Sequence, residues 1–180
     1  MRARWTTACL AGLALGAACS GSGGTAASSG GSGSSTAPPA QAPVTTTTTP
    51  PPLSREQAAE RYLAIVEPYN IALEALEQAV NGGQEVGALQ AQAAAVATAN
   101  ATHIAELRAT VWPADVQPAV DELVAASETA QTYWLQASQA QTRDAVIAAA
   151  VSAGEHDGGT AADTIRSLLG LGGYDEDDYS

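Results

Sequence analysis

Two histidines and two cysteines are the scarce chemical side chains of this 180-residue sequence. Imidazole or thiol chemistry would have to pass through them. His103 stands three residues before Glu106 in "HIAE", a spacing that sets imidazole and carboxylate on one face of a helix. Di-iron bundles use Glu-x-x-His in the opposite order, twice, with two further glutamates. One reversed copy falls short of that donor set, and a partly buried, hydrogen-bonded histidine is the simpler reading. His156 beside Asp157 falls in "GEHDGG", where exposure in a loop accounts for it. There is no G-x-S-x-G, H-E-x-x-H or C-x-x-C-H pattern, and the only methionine is Met1. The residues therefore point to no catalytic group, no metal site and no cofactor.

The cysteines carry a different chemistry. "MRARW" places two arginines before the apolar run Ala8–Ala18, which is followed by Cys19 and then by glycine and serine. A charged start, a short apolar stretch and small residues before a cut define a secretory signal. The run is too short for a membrane span, which needs about 20 apolar residues. Gly16, Ala17 and Ala18 before Cys19 resemble a bacterial lipobox, with Gly16 where leucine is usual and Leu15 one place earlier. Ordinary cleavage after Ala18 would suit the same small residues. Cys9 would leave with the signal, so Cys19 would be the only mature cysteine and could form no internal disulfide. Acylation of Cys19 gives it a purpose. Each buried acyl CH₂ contributes about 0.8 kcal/mol, so two or three chains hold a soluble domain at a bilayer.

Past residue 18 there are five arginines against nineteen acids, and no lysine. Such a surface repels phosphate backbones, so nucleic acid is not expected as a partner. The membrane would be met through the anchor rather than through charge. Residues 19–52 form a Gly/Ser-rich and then Thr/Pro-rich linker with almost nothing to bury. It should be a disordered tether, reaching on the order of 100 Å if extended. Thr45–Thr49 with flanking prolines has the composition of an O-glycosylated stalk, or of a plain spacer.

From residue 53 to 171 the pattern becomes helical. Ser54 and Gln57 form a capping-box signature ahead of a first helix. Its apolar face runs through Ala59, Tyr62, Val66, Tyr69, Leu73, Leu76 and Val80 until "NGG" stops it. Pro68 should bend this helix by removing the donor to the Ala64 carbonyl. Glu56, Glu60, Glu67, Glu74 and Glu77 lie on its outward faces, within reach of Arg55 or Arg61. A second helix is expected over about 84–112, with Asn100 and His103 on or beside its apolar stripe. These two are the candidates for buried polar or ligand-contact residues. A third begins near Asp115, its expected cap, and carries Val116, Val120, Leu123, Ser127, Ala130, Trp134 and Ala137. A break is expected within 138–144, followed by a short helix over 144–153. A last helix, capped by Thr160 or Asp163, should end at Gly170. Strand signals are missing. The expectation is an all-α, up-and-down antiparallel bundle of three long helices and one or two short ones, with Tyr62, Tyr69, Trp112, Tyr133 and Trp134 prominent in its core. Residues 172–180 make an acidic tail, "YDEDDYS", most simply a solubilising one.

The segments "RYLAIVEPYNIALEAL", "WPADVQPAVDELVAAS", "YWLQASQA" and "AADTIRSLLGL", in that order after such a signal and tether, resemble small actinobacterial lipoproteins without an assigned biochemical role. That resemblance implies an exported, membrane-tethered helical domain and supplies no catalytic residues. The expected function is a non-enzymatic envelope module on the outer face of the membrane, binding an envelope protein, a cell-wall component or a small apolar ligand. The competing reading is a secreted enzyme or small-ligand carrier using His103 and nearby carboxylates. A third, a spacer or adaptor, would show an exposed apolar groove.

Overall fold

The structure is a computed structural model, and it describes residues 51–173. These fold into α1 (Arg55–Asn81), α2 (Val86–Ala109), α3 (Gln117–Gln139), α4 (Arg143–Gly154) and α5 (Gly159–Leu169), with no strand among them. Cys19, the linker and the acidic cluster Asp175–Asp178 lie outside the described residues.

The direction of each helix can be read from the core, which forms three clusters in succession. Ala58–Val66 of α1 and Leu76 belong to the first and second clusters, and Ala79 to the third. Along α2 the order reverses: Leu89 and Ala93 lie in the third cluster, Val96 in the second and Leu107 in the first. α3 runs like α1, from Val120 through Ala130 to Ala137. α4 turns back from Val146 in the third cluster to Ala153 in the second, and α5 places Ile165 in the first. Neighbours are therefore antiparallel up and down, and the return path after α3 is divided into two helices.

The ends of these helices follow local chemistry. The capping box at α1 is present in both directions, Gln57 N–H to Ser54 Oγ at 3.2 Å and Ser54 N–H to Gln57 Oε1 at 3.0 Å. α1 runs on through Pro68, whose ring is exposed, as is Ala64. Water can therefore reach the carbonyl that the proline leaves without its helical donor. At the other end of α1, Arg143 donates to the carbonyls of Val80 (2.6 Å) and Gln84 (2.9 Å).

Three expected boundaries are corrected. α2 stops at Ala109, before the expected Trp112, because Thr110 is extended and Pro113 disfavours helix in the residue before it. Trp112 instead folds back, its indole donating to the Leu107 carbonyl at 2.9 Å. Asp115 does not cap α3, whose N-cap is Val116 without a side-chain bond; the carboxylate pairs across the bundle end with Arg55 at 2.7 Å. α5 is capped by neither Thr160 nor Asp163, since both lie inside it after Gly158. The preceding Asp157 accepts from Gly159 N–H at 2.8 Å. Thr142 caps α4 through Ala145 N–H at 3.2 Å.

Tyr62, Tyr69, Trp112 and Trp134 are buried, whereas Tyr133 is only partly so. The glutamates of α1 face outward, and the cross-helix partner of Arg61 is Glu106 of α2, at 3.3 Å.

Candidate functional site

Most buried positions are filled by alanine, valine, leucine and isoleucine, and the buried polar side chains among the described residues are Asn70, Asn100, His103 and Ser127. Their clustering follows from the antiparallel register. Tyr69 and Asn70 of α1, His103 of α2 and Ser127 of α3 come level between the first and second core clusters. That is also where the return path breaks between α4 and α5.

A cavity of about 50 Å³ lies there, lined by Tyr69, Asn70, His103 and Ser127 together with Asp157, Asp163 and Arg166 from the α4–α5 turn and α5. Asp163 is exposed and stands at the mouth. This volume admits a few water molecules or the end of a ligand, because one water needs roughly 10–15 Å³ on this measure.

His103 is 4% exposed, and neither ring nitrogen has a hydrogen-bond partner among the described residues. Burial pushes its pKa down to about 4, with the Ile65 carbonyl pulling weakly the other way without completing a hydrogen bond. The imidazole is therefore uncharged at neutral pH, with one donor and one acceptor unused. Tyr69 packs against it, ring centroids 5.5 Å apart, and accepts the Trp134 indole N–H at 3.1 Å. Burial, reinforced by the charge of Asp157, keeps the Tyr69 hydroxyl protonated across the working pH range, against the weaker opposing pull of Trp134.

Asn100 is fully buried but serves another purpose. Its amide donates to the Ser127 carbonyl (2.9 Å) and to Gln131 Oε1 (2.8 Å), and Gln131 returns a bond to the Ala97 carbonyl (3.0 Å). The pair clamps α2 to α3 directly behind Ser127. Its Oδ1 is left unpartnered among the described residues.

The two candidates singled out from the sequence thus part company: His103 lines the cavity, whereas Asn100 braces its wall. His103 and Glu106 are not brought together, since Glu106 turns to Arg61. His156 is exposed as expected and stacks on Tyr133, centroids 5.5 Å apart and planes within 6°. Among the described residues no three His, Cys, Asp or Glu side chains converge as a metal site would require, and no helix is long and apolar enough to cross a membrane. Asn70, Asp157, Asp163 and Arg166 were not foreseen as site residues. Asn70 carried a signal, a polar side chain directly after Tyr69 on the apolar face; the other three depend on where α5 folds back.

A second concavity is a shallow, open groove of alanines and threonines on the outer α2–α3 face, including Ala94, Thr98, Ala101 and Ala105, with Leu135 beside them 46% exposed.

No family model, no curated protein and no solved structure matches this chain.

Proposed function

We propose that the chain is an exported lipoprotein, moored through acylated Cys19 to the outer face of the cell membrane, whose helical domain is a non-enzymatic binding module of the envelope. The seam at Cys19, with its charged start, short apolar run and small residues, supports the anchor.

Binding is favoured by one observation: in a core made mostly of apolar residues, Asn70, His103 and Ser127 gather on a single cavity. A bundle that needed only to hold itself together would gain from an aliphatic residue in place of His103. A buried polar group without a partner costs about 1–3 kcal/mol. Convergent polar groups in a concave, largely apolar setting are what ligand seats share.

His103 with Asp157 and Asp163 on one cavity also supports the carrier form of the competing reading. The enzyme form has less behind it. A general base must come within hydrogen-bond reach of the proton it removes, and both His103 nitrogens are shut off from solvent.

Detergent phase partitioning of the protein from its producing cells, wild type beside Cys19→Ser, tests the anchor. The wild type should enter the detergent phase and the variant the aqueous one; a wild type found in the aqueous phase contradicts the proposal.

A further inference from the structure

The groups around the cavity share an electrostatic character. Asp157 and Asp163 bring two carboxylates to its rim. One oxygen of Asp157, Oδ1, accepts from Gly159 N–H, which fixes the side chain. His103 adds an uncharged imidazole ring to the wall, its nitrogens enclosed and without a hydrogen-bond partner among the described residues. Tyr62 and Tyr69 add aromatic rings, whose faces are electron-rich. Arg166, the only cation among the described residues of the lining, is turned along the end of α5, its Nε donating to Gly172 O (2.7 Å) and its Nη2 to Gly173 O (2.9 Å). Around the site, the described residues carry five arginines against fifteen acids, a field that concentrates cations at a cleft.

We propose that this cavity receives the ammonium end of an organic amine, whose remainder extends past Asp157 and Asp163 into solvent. The inference rests on reading the cavity as a ligand seat and names the class of ligand. An ammonium group brings three donors and no acceptor, which complements the two carboxylates at the rim and the electron-rich rings of Tyr62 and Tyr69 in the lining. A carboxylate or phosphate of similar size would meet like charge at the mouth. The volume of about 50 Å³ suits a head group of a few heavy atoms and not a whole drug-sized molecule.

Titration of the full chain with butylamine, butanoate and butan-1-ol, followed by amide and Tyr69 ring resonances, tests this. Butylamine should give saturable shifts centred on the α4–α5 turn and Tyr69. Asp157→Asn together with Asp163→Asn should weaken it about tenfold or more, as expected for loss of charged hydrogen bonds. Asparagine keeps the acceptor for Gly159 N–H, and an unchanged thermal midpoint would show that the variant is folded. Stronger binding of butanoate or butan-1-ol, or undiminished butylamine binding by the double variant, overturns the amine proposal while leaving a ligand seat in place. No saturable shift with any of the three overturns both.

Discussion

Tyr69 and His103 face each other across the α1–α2 contact, ring centroids 5.5 Å apart and planes tilted by 35°. The tyrosine is fixed from the far side by the Trp134 indole. The imidazole is thus held by an aromatic neighbour that offers it contact area without neutralising a charge, in a place where no carboxylate completes a hydrogen bond to it. This keeps His103 neutral, and several measurable properties depend on it.

The first is stability against pH. The folded pKa of His103 is lowered from 6.5 to about 4, so the unfolded chain binds the extra proton first. The stability that depends on a neutral ring is complete above pH 6.5 and falls progressively toward pH 4. The total loss is on the order of 3 kcal/mol. Asp115, lowered by its bond to Arg55, acts in a separate window, since its contribution fades only below its ordinary 3.8. Urea unfolding between pH 7 and 4 should show the His103 slope in the wild type. The slope should be absent in His103→Phe, and an equal slope in both would refute the assignment.

Arg143 holds the end of α1 from the start of α4, two carbonyls on one guanidinium. Charged hydrogen bonds to helix-end carbonyls contribute more than neutral ones. Arg143→Ala should lower unfolding free energy by about 1–2 kcal/mol, and Arg143→Lys should recover part of it. Denaturant midpoints at constant slope will measure both.

Asn100 and Gln131 act as a unit. Removing either side chain leaves the other buried or half-buried with an unmet group, so Asn100→Leu and Gln131→Leu should each cost about 1–3 kcal/mol. The double variant should cost less than the sum of the two, because the stranded partner disappears with the second change. Strict additivity in a double-mutant cycle would show that the bond between them is not coupled.

Gly158 has φ +70°, and a Cβ there would lie 2.7 Å from Leu123 Cδ1 and 3.1 Å from the Ala126 Cβ. Gly83 has nearly the same φ, +69°, with open space around it. Alanine at 83 should cost about 1–2 kcal/mol for the left-handed backbone alone, and alanine at 158 should cost distinctly more. Thermal midpoints of the two variants, compared directly, separate backbone strain from collision. Equal losses would mean that α5 shifts freely to relieve the contact.

Much of this fold was legible because alanine-rich helices with stripes at three-and-four spacing leave few alternatives. Ser54 with Gln57, the break after Gln139 and Gly170 all mark real ends. The errors lie where tertiary partners outcompete local signals. Asp115 resembles a cap until Arg55 is brought across to it, and Trp112 extends the helical rhythm although its indole is needed to close the chain back on Leu107. The site was half legible. Polar residues at 100, 103 and 127 interrupt apolar stripes on two helices and so announce a buried polar layer. Only the antiparallel register brings two of them level with Asn70, and only the split after α4 adds Asp157 and Asp163. Nothing in local spacing encodes a helix that returns to a bundle end some fifty residues later.

The proposed envelope location rests on lipid attachment at Cys19, and the mature amino-terminal peptide tests it directly. Mass spectrometry of that peptide, released by protease from protein isolated out of membranes of producing cells, should find Cys19 as the first residue carrying a diacylglyceryl group. A first residue of Cys19 with an unmodified thiol, or a peptide still containing residues 1–18, would contradict it.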